Sequence, residues 1–385
     1  MNKVENLSSK IIQSEIRNMS IECAKIGGIN LSQGFSDTEM QIPISIGAKN
    51  AIDKGINHYT RYDGIQELRE SISTKLKYYN KITADPEEEI IVTSGSTAAL
   101  FCVLFALFKA EDEIILFEPY YGYHVNTIFA VNMVPKYLPL MPSSWDIDFE
   151  KLESLITAKT KAIIVNTPTN PSGKIFSREE LLQLGRLAKK HNIYIITDEI
   201  YEYFLYDDAI HVSPASIPEI KDRIITISGY SKTFSITGWR IGYIVCSKEL
   251  SQTIGFVHDL IYVCAPAPLQ MGVCEGIKKL NDGFYLDLKK MYQKKRDIMC
   301  EALDKSGLMP IIPKGAYYIL ADISKIDGVT SKEKTINFLN KTKIAAVPGE
   351  AFYHDDKGNS IARFCFAKRD DVLFDAVNIL KSIRY

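Results

Sequence analysis

The sequence predicts an α/β protein, with a mostly parallel central sheet in a large domain and a smaller α+β domain beside it. Three observations lead there. Between Glu89 and Cys246, solidly apolar β-branched runs alternate with helix-forming segments, the pattern of strands buried on both faces and covered by helices. Polar clusters follow these runs, which puts them along one edge of such a sheet, where open α/β folds take their ligands. Past Gly255 the alternation stops, and a long helix rich in Lys and Asp, 284–303, leads to short strands flanked by helices.

Composition narrows the function classes. At 385 residues the chain can bury a large core in one big or two moderate domains. Its 46 basic and 47 acidic residues are mixed along the chain, so neither nucleic acid nor an anionic membrane is expected as the main partner. Seven cysteines, at 23, 102, 246, 264, 274, 300 and 365, are odd in number and lack metal-site spacing. They read as reduced core thiols, with no metal expected. The start, MNKVENLSSKIIQSEIR, carries no apolar leader, and no stretch is long and charge-free enough to span a bilayer. A cytoplasmic location is expected.

In chain order, residues 1–30 read as a short amphipathic helix with Ile11, Ile12, Ile16 and Met19 on one side, stopped by Gly27-Gly28. A short strand from Ile29 breaks at Gly34, where the backbone can come close to a ligand. Helices are expected over 44–54 and 65–79, separated by a polar connection holding Tyr59 and Tyr62. Strands follow at 90–93, 113–117, 161–165, 193–197, 223–228 and 239–246. Their ends carry Ser94-Gly95-Ser96-Thr97, Glu118 to Tyr123, Asn166 to Gly173, Asp198 to Tyr201, and Lys232. Ser177 and Glu180 make a capping box that opens a helix to Lys190.

One stretch organises the rest: Ser228 to Gly242, SGYSKTFSITGWRIG. It places Lys232 among small residues just past a strand, with Arg240 eight positions on. Singly, each polar residue has an ordinary reading, Asp198 as a helix cap and Asn170-Pro171 as a turn. Jointly they form the set that pyridoxal phosphate chemistry needs. Lys232 can hold the aldehyde as a Schiff base, and Asp198 can keep the pyridine nitrogen protonated. Tyr201 and Asn170 can bind the ring 3′-oxygen. The N–H groups at Ser96 and Thr97, with Arg240, suit a phosphate. Tyr121 can stack on the ring, and Arg363, in ARFCFA, can grip an amino-acid carboxylate.

These residues resemble the class I/II aminotransferases, the fold-type-I pyridoxal-phosphate enzymes, from Leu31 to Ala367. GYSKTFSITGWRIG is similar to the family's lysine signature, and Asn166 to Gly173 with Asp198-Glu-Ile-Tyr201 is nearly as specific. The resemblance implies a large pyridoxal-phosphate-binding domain, 46–280, and a small domain built from 1–45 and 281–385. It implies an aminotransferase moving an amino group from an L-amino acid to a 2-oxo acid, with Lys232 as Schiff-base lysine and proton carrier. Asp198 would pair with the pyridinium, and Tyr201 and Asn170 would bind the 3′-oxygen. Ser96, Thr97, Ser231 and Arg240 would hold the phosphate, and Tyr121 would stack. Gly34, Asn170 and Arg363 would receive the substrate carboxylate. Tyr59 matches a tyrosine that reaches a neighbouring subunit's phosphate, which implies a homodimer with shared active sites.

Two departures bear on specificity. Gly229 stands where many members have a phosphate-binding serine. Thr97 stands where an aspartate-using subgroup has a lysine, which counts against aspartate. Phe35, Tyr62, Tyr121 and Tyr123 are instead expected to favour apolar or aromatic side chains. A lyase, cyclase or decarboxylase on the same scaffold shares all these residues. A non-catalytic sensor is the competitor from another class, but the residues before Leu31 leave no room for the DNA-binding helix-turn-helix such sensors carry.

Overall fold

The computed structural model describes residues 14–142 and 144–385. Helix α1 (Glu15–Lys25) buries Met19 and Cys23 and stops before Gly27 and Gly28, as the glycine pair predicts. Ile11 and Ile12 lie outside the described residues. Strand β1 (Ile29–Asn30) is followed by α2 (Ile42–Asp53) and α3 (Gln66–Lys75), the latter continuing as a π-helical turn over Leu76–Asn80.

The alternating region then runs β2 (Ile90–Thr93), α4 (Ser96–Leu107), β3 (Glu113–Glu118), α5 (Gly122–Ala130), β4 (Val134–Pro139), α6 (Phe149–Ser154), β5 (Thr160–Asn166), α7 (Arg178–His191), β6 (Tyr194–Asp198), β7 (Ile224–Gly229) and β8 (Gly242–Val245). These seven strands form one sheet in the order β2-β8-β7-β6-β5-β3-β4. β8 alone runs against its neighbours β7 and β2, so the sheet is mostly parallel, as the solid apolar runs predict. Ile91, Ile164 and Ile196 pack into one core on one face, and Ile163, Val165 and Ile195 into another on the opposite face. The capping box of Ser177 and Glu180 is formed at the start of α7.

The sequence reading misses α5 and β4. β4 holds two prolines and a lysine and is mostly half-buried, a sheet-edge strand with no apolar run to reveal it. The last strand also starts later than expected. Thr237–Trp239 is a 3₁₀ turn and Arg240 is left-handed (φ 57°), which delays pairing to Gly242.

Helices α8 (Lys248–Tyr262) and α9 (Ala267–Lys279) lead to α10 (Asp282–Lys305), the long helix expected over 284–303. Then come β9 (Pro310–Ile311), β10 (Tyr318–Asp322), α11 (Ser331–Thr342), β11 (Ile344–Ala345), β12 (Val347–Pro348), β13 (Ile361–Cys365) and α12 (Asp370–Ser382). A second, antiparallel sheet has the order β12-β13-β10-β9, and β1 pairs with β11. Met299 and Leu303 of α10 pack in one core with Ile319, Phe338 and Phe364, so the helix joins this sheet to the rest of the chain.

One buried ion pair braces the segment just after β6. Lys75 Nζ lies 2.5 Å from Glu202 Oε1 and also bonds Asn80 Oδ1, while Asn80 Nδ2 donates to Glu202 Oε2 at 2.8 Å. Glu202→Ala strands a buried ammonium, so it is expected to cost about 3–5 kcal/mol in urea unfolding. Lys75→Met with Glu202→Leu removes both charges and is expected to cost less. A double variant as weak as the single one would refute the pairing as the cause.

Candidate active site

Because β2, β3, β5, β6 and β7 run the same way, the polar residues that follow them meet at one edge of the sheet. Asp198 ends β6, and Lys232 comes three residues after β7. Asn166 at the end of β5 ties its neighbours together. Its Nδ2 donates to Asp198 O (2.9 Å), and its Oδ1 accepts from Asn170 N (2.7 Å).

A cavity of ≈ 420 Å³ opens at this edge and gathers Gly34, Tyr121, Asn170, Tyr201, Lys232 and Arg363. Lys232 Nζ donates to Gly34 O at 2.8 Å. The amine opens onto the cavity, yet the surrounding protein takes most of its hydration. Burial pushes its pKa down to about 8 from an ordinary 10.5, and Arg363 and Arg240 push the same way while Asp198 opposes them. In the protein free of cofactor, labelling of Lys232 by an amine-reactive reagent is expected to rise through about pH 8 and level off. Exposed lysines should keep rising to pH 10 and beyond. Peptide mapping separates the two courses, and a Lys232 profile matching the exposed lysines would contradict the shift.

Arg363 is fully buried. Its Nη1 donates to Asn170 Oδ1 (2.9 Å) and its Nη2 to Ser32 O (2.6 Å), while Nε is buried without a partner. That unspent donor faces the need of a carboxylate. Asn170 spends Oδ1 on the arginine and keeps its amide nitrogen for another acceptor. Gly34 is required where it stands, because a Cβ there would overlap the Tyr318 hydroxyl.

An adjoining recess is lined by Ser96, Thr97, Tyr121, His124 and Asp198. Gly95 (φ 89°) precedes α4, whose first turn has no side-chain cap and no acidic residue. The N–H groups at Ser96 and Thr97, at the start of the helix, therefore have no intrahelical partner, as an anion site requires. The Arg240 guanidinium lies against the Gly95 backbone in the space a Cβ would fill. Ser231 is buried beside Lys232.

These groups fit pyridoxal phosphate on three counts: the cradle at Gly95 under Arg240, the lysine held partly neutral, and the orphaned Arg363 donor in the same cavity as that lysine. Tyr59, expected to reach a neighbouring subunit's phosphate, stands apart from this chain's own site. It is 83% exposed on its loop and lines neither cavity nor recess. Phe35, Tyr121 and Tyr123 line the cavity as expected, but Tyr62 does not: it packs over Gly255, with its ring 6.2 Å from Phe256.

Sequence reading missed His124 and the tyrosines of β10. His124 Nε2 lies 2.9 Å from Asp198 Oδ2, and its ring meets Tyr121 edge-on at 5.3 Å. It sits on α5, three residues after Tyr121, and a histidine one helical turn from an expected ring-stacking tyrosine was the available signal. Tyr318 Oη lies 2.8 Å from Tyr201 Oη, and Tyr317 Oη donates to Gly34 O at 3.0 Å.

Comparison with known proteins gives a consistent picture. The family described as "Aminotransferase class I and II" matches residues 26–377. Kynurenine–oxoglutarate transaminase 3 of Rattus norvegicus is 34% identical over 97% of this chain and 90% of its own length. Methionine aminotransferase of Escherichia coli K12 is 30% identical over 92% of each. Among solved structures, N-succinyldiaminopimelate aminotransferase from Mycobacterium tuberculosis is similar at a TM-score of 0.94 and 30% identity, covering 98% of both chains.

Proposed function

The chain belongs to the class I and II aminotransferases and is a pyridoxal-phosphate-dependent transaminase of fold type I; from that premise we propose the roles of its residues and the class of its substrates. Bound pyridoxal phosphate supplies an aldehyde that carries the amino group and a ring that takes up the electron pair left at Cα.

The chain's own groups do the rest. Ser96, Thr97, Ser231 and Arg240 hold the phosphate, and Tyr121 covers the ring. Asp198, steadied by His124, holds the ring nitrogen's proton, while Tyr201 and the free amide nitrogen of Asn170 serve the 3′-oxygen. Arg363, with Asn170 and the Gly34 backbone, receives the substrate α-carboxylate. Lys232 takes the proton from Cα and returns it at the cofactor's C4′, and it can do so near neutral pH because burial keeps part of it uncharged.

The amino donor is an L-amino acid with an apolar or aromatic side chain. Ile16 and Ile21 of α1 line the cavity with Phe35, Tyr121 and Tyr123, and no carboxylate lines it among the described residues. The methionine and kynurenine relatives are named for donors of this kind. Arg17 lines the same cavity, and among the described residues its guanidinium has no hydrogen-bond or ion-pair partner, which suits the distal carboxylate of an acceptor such as 2-oxoglutarate.

The test follows the visible absorption of the holoenzyme as single amino acids are added. Methionine and aromatic donors are expected to exceed lysine by about 10²-fold in kcat/KM, because lysine brings an unpaired ammonium into an acid-free site. Arg17→Ala is expected to raise the KM for 2-oxoglutarate about tenfold and to spare 2-oxo acids without a second carboxylate. Lysine or aspartate as the best donor would overturn the assignment of donor class.

We also assign 46–280 to a large domain and 1–45 with 281–385 to a small one; the seven-stranded sheet falls in the first, and the four-stranded sheet and the β1-β11 pair in the second. A second copy of the chain is the expected partner. α8 leaves Phe256, Leu260 and Ile261 exposed, and Phe256 touches Tyr62 close to exposed Tyr59. A cytoplasmic location agrees with seven unpaired cysteines, six of them buried.

A further inference from the structure

Tyr201 and Tyr318 come from different sheets. Tyr201 follows β6 of the central sheet, whereas Tyr318 opens β10 of the second sheet, next to β13 and Arg363. Both are buried, and their hydroxyls are 2.8 Å apart, so one must donate to the other.

Counting lone pairs decides which. Besides Tyr201 Oη, the one acceptor that meets hydrogen-bond geometry with Tyr318 Oη among the described residues is Gly34 O, at 3.5 Å; Tyr317 Oη lies nearby but gives its own proton to that carbonyl. That carbonyl already accepts from Lys232 Nζ at 2.8 Å and Tyr317 Oη at 3.0 Å, which uses both its lone pairs. Even with Lys232 drawn away, 3.5 Å is the edge of a useful bond. If Tyr201 donated to Tyr318, the Tyr318 proton would be buried with nowhere adequate to go, a costly arrangement. If Tyr318 donates to Tyr201, both hydroxyls are served, and the Tyr201 proton is left to face the cavity. The Arg363 guanidinium, 4.2 Å over the Tyr318 ring, draws electron density from that phenol and favours it as the donor.

We propose that Tyr318 is a positioning residue for Tyr201: its hydroxyl donates to Tyr201 Oη, turns the Tyr201 O–H into the cavity and strengthens the bond that it gives to the cofactor's 3′-oxygen. Hydroxyls that accept and donate in series polarise one another. The inference rests on the reading of Tyr201 given above. It also means that the second sheet must be seated against the first for Tyr201 to be aimed. Burial holds both phenols protonated well above the neutral range, so the chain stays intact across it.

The readout is the pH midpoint at which the holoenzyme's visible band changes colour. A hydrogen bond to the 3′-oxygen stabilises its anion and lowers this midpoint, so Tyr201→Phe should raise it. Tyr318→Phe should raise it by a smaller step, about 0.3–0.5 unit (a two- to threefold change in proton affinity), given ~10–30% strengthening per linked bond. In the double variant the midpoint should equal that of Tyr201→Phe alone, and Tyr318→His, which keeps a ring donor, should recover part of the shift. The proposal fails if Tyr318→Phe leaves the midpoint unmoved while Tyr201→Phe moves it, or if the Tyr318→Phe shift persists in full without the Tyr201 hydroxyl. If Tyr201→Phe itself has no effect, the reading of Tyr201 falls first and the proposal with it. If Tyr318→Phe does not hold the cofactor, the His variant decides: a midpoint at or above that of Tyr201→Phe overturns the proposal, and one between it and the unaltered enzyme supports it.

Discussion

Lys232→Ala is expected to lower kcat by at least ~10⁴-fold, the upper end of what a positioned proton carrier contributes, while the protein still takes up pyridoxal phosphate. Retention is expected because the other proposed cofactor contacts, at Ser96, Thr97, Arg240 and Asp198, are untouched. Added small primary amines should restore part of the turnover, since they can enter the space the side chain leaves and carry the same proton. A variant that keeps more than about 1% of its activity with every donor would remove Lys232 from the reaction.

The same variant carries a stability signature with the opposite sign. The lysine's pKa is about 8 in the folded chain against 10.5 ordinarily. Between those values the unfolded chain binds the proton and the folded chain does not, so stability rises with pH across that window. Below pH 8 the folded protein bears the full cost of the buried ammonium. Without cofactor, Lys232→Ala should therefore unfold at higher urea than the unaltered protein at pH 7, with the gap closing above pH 10. A catalytic loss caused by misfolding would show the reverse.

Arg363→Ala is the second large effect. It removes the one fully buried guanidinium at the cavity floor and leaves Asn170 Oδ1 and Ser32 O without their donor. Truncating a buried, hydrogen-bonded charge partner costs about 2–5 kcal/mol, so kcat/KM for amino acids should fall roughly 10²–10³-fold. Lysine should be a poor substitute, because three bonds in one plane need the guanidinium fork. The control is an amine of the same side chain lacking the carboxylate, whose slow reaction should be unchanged. Equal losses for acid and amine would mean that Arg363 only supports the fold.

Much of this site was legible in the sequence because of where the sheet puts its strand ends. Asp198 and Lys232 follow long apolar runs, and a run that ends in a polar cluster marks its own carboxyl end. β4 was not legible, since Pro135 and Pro139 break the apolar signal that an interior strand would give. His124 went unread with the helix that carries it. Tyr318 was unreadable for a different reason: its partner lies 117 residues away, in another sheet, and only folded register sets β10 against the end of β6. Tyr62 was misread because aromatic content in a polar loop does not reveal which side of the loop the ring will cover; here it covers Gly255.

Helix α1 supplies one wall of the cavity, yet it contributes no group to the proposed chemistry, which comes from Gly34, from strand ends between 96 and 240 and from β13. Substrate choice and reaction can thus be inherited separately. A graft of residues 14–25 from a relative with another preference should retarget the donor while Lys232, Asp198 and Arg363 keep their surroundings. Such a partition lets mutation explore new substrates without risking the catalyst, and it gives a physical reason why kynurenine, methionine and aspartate transaminases can all be 30–34% identical to one chain.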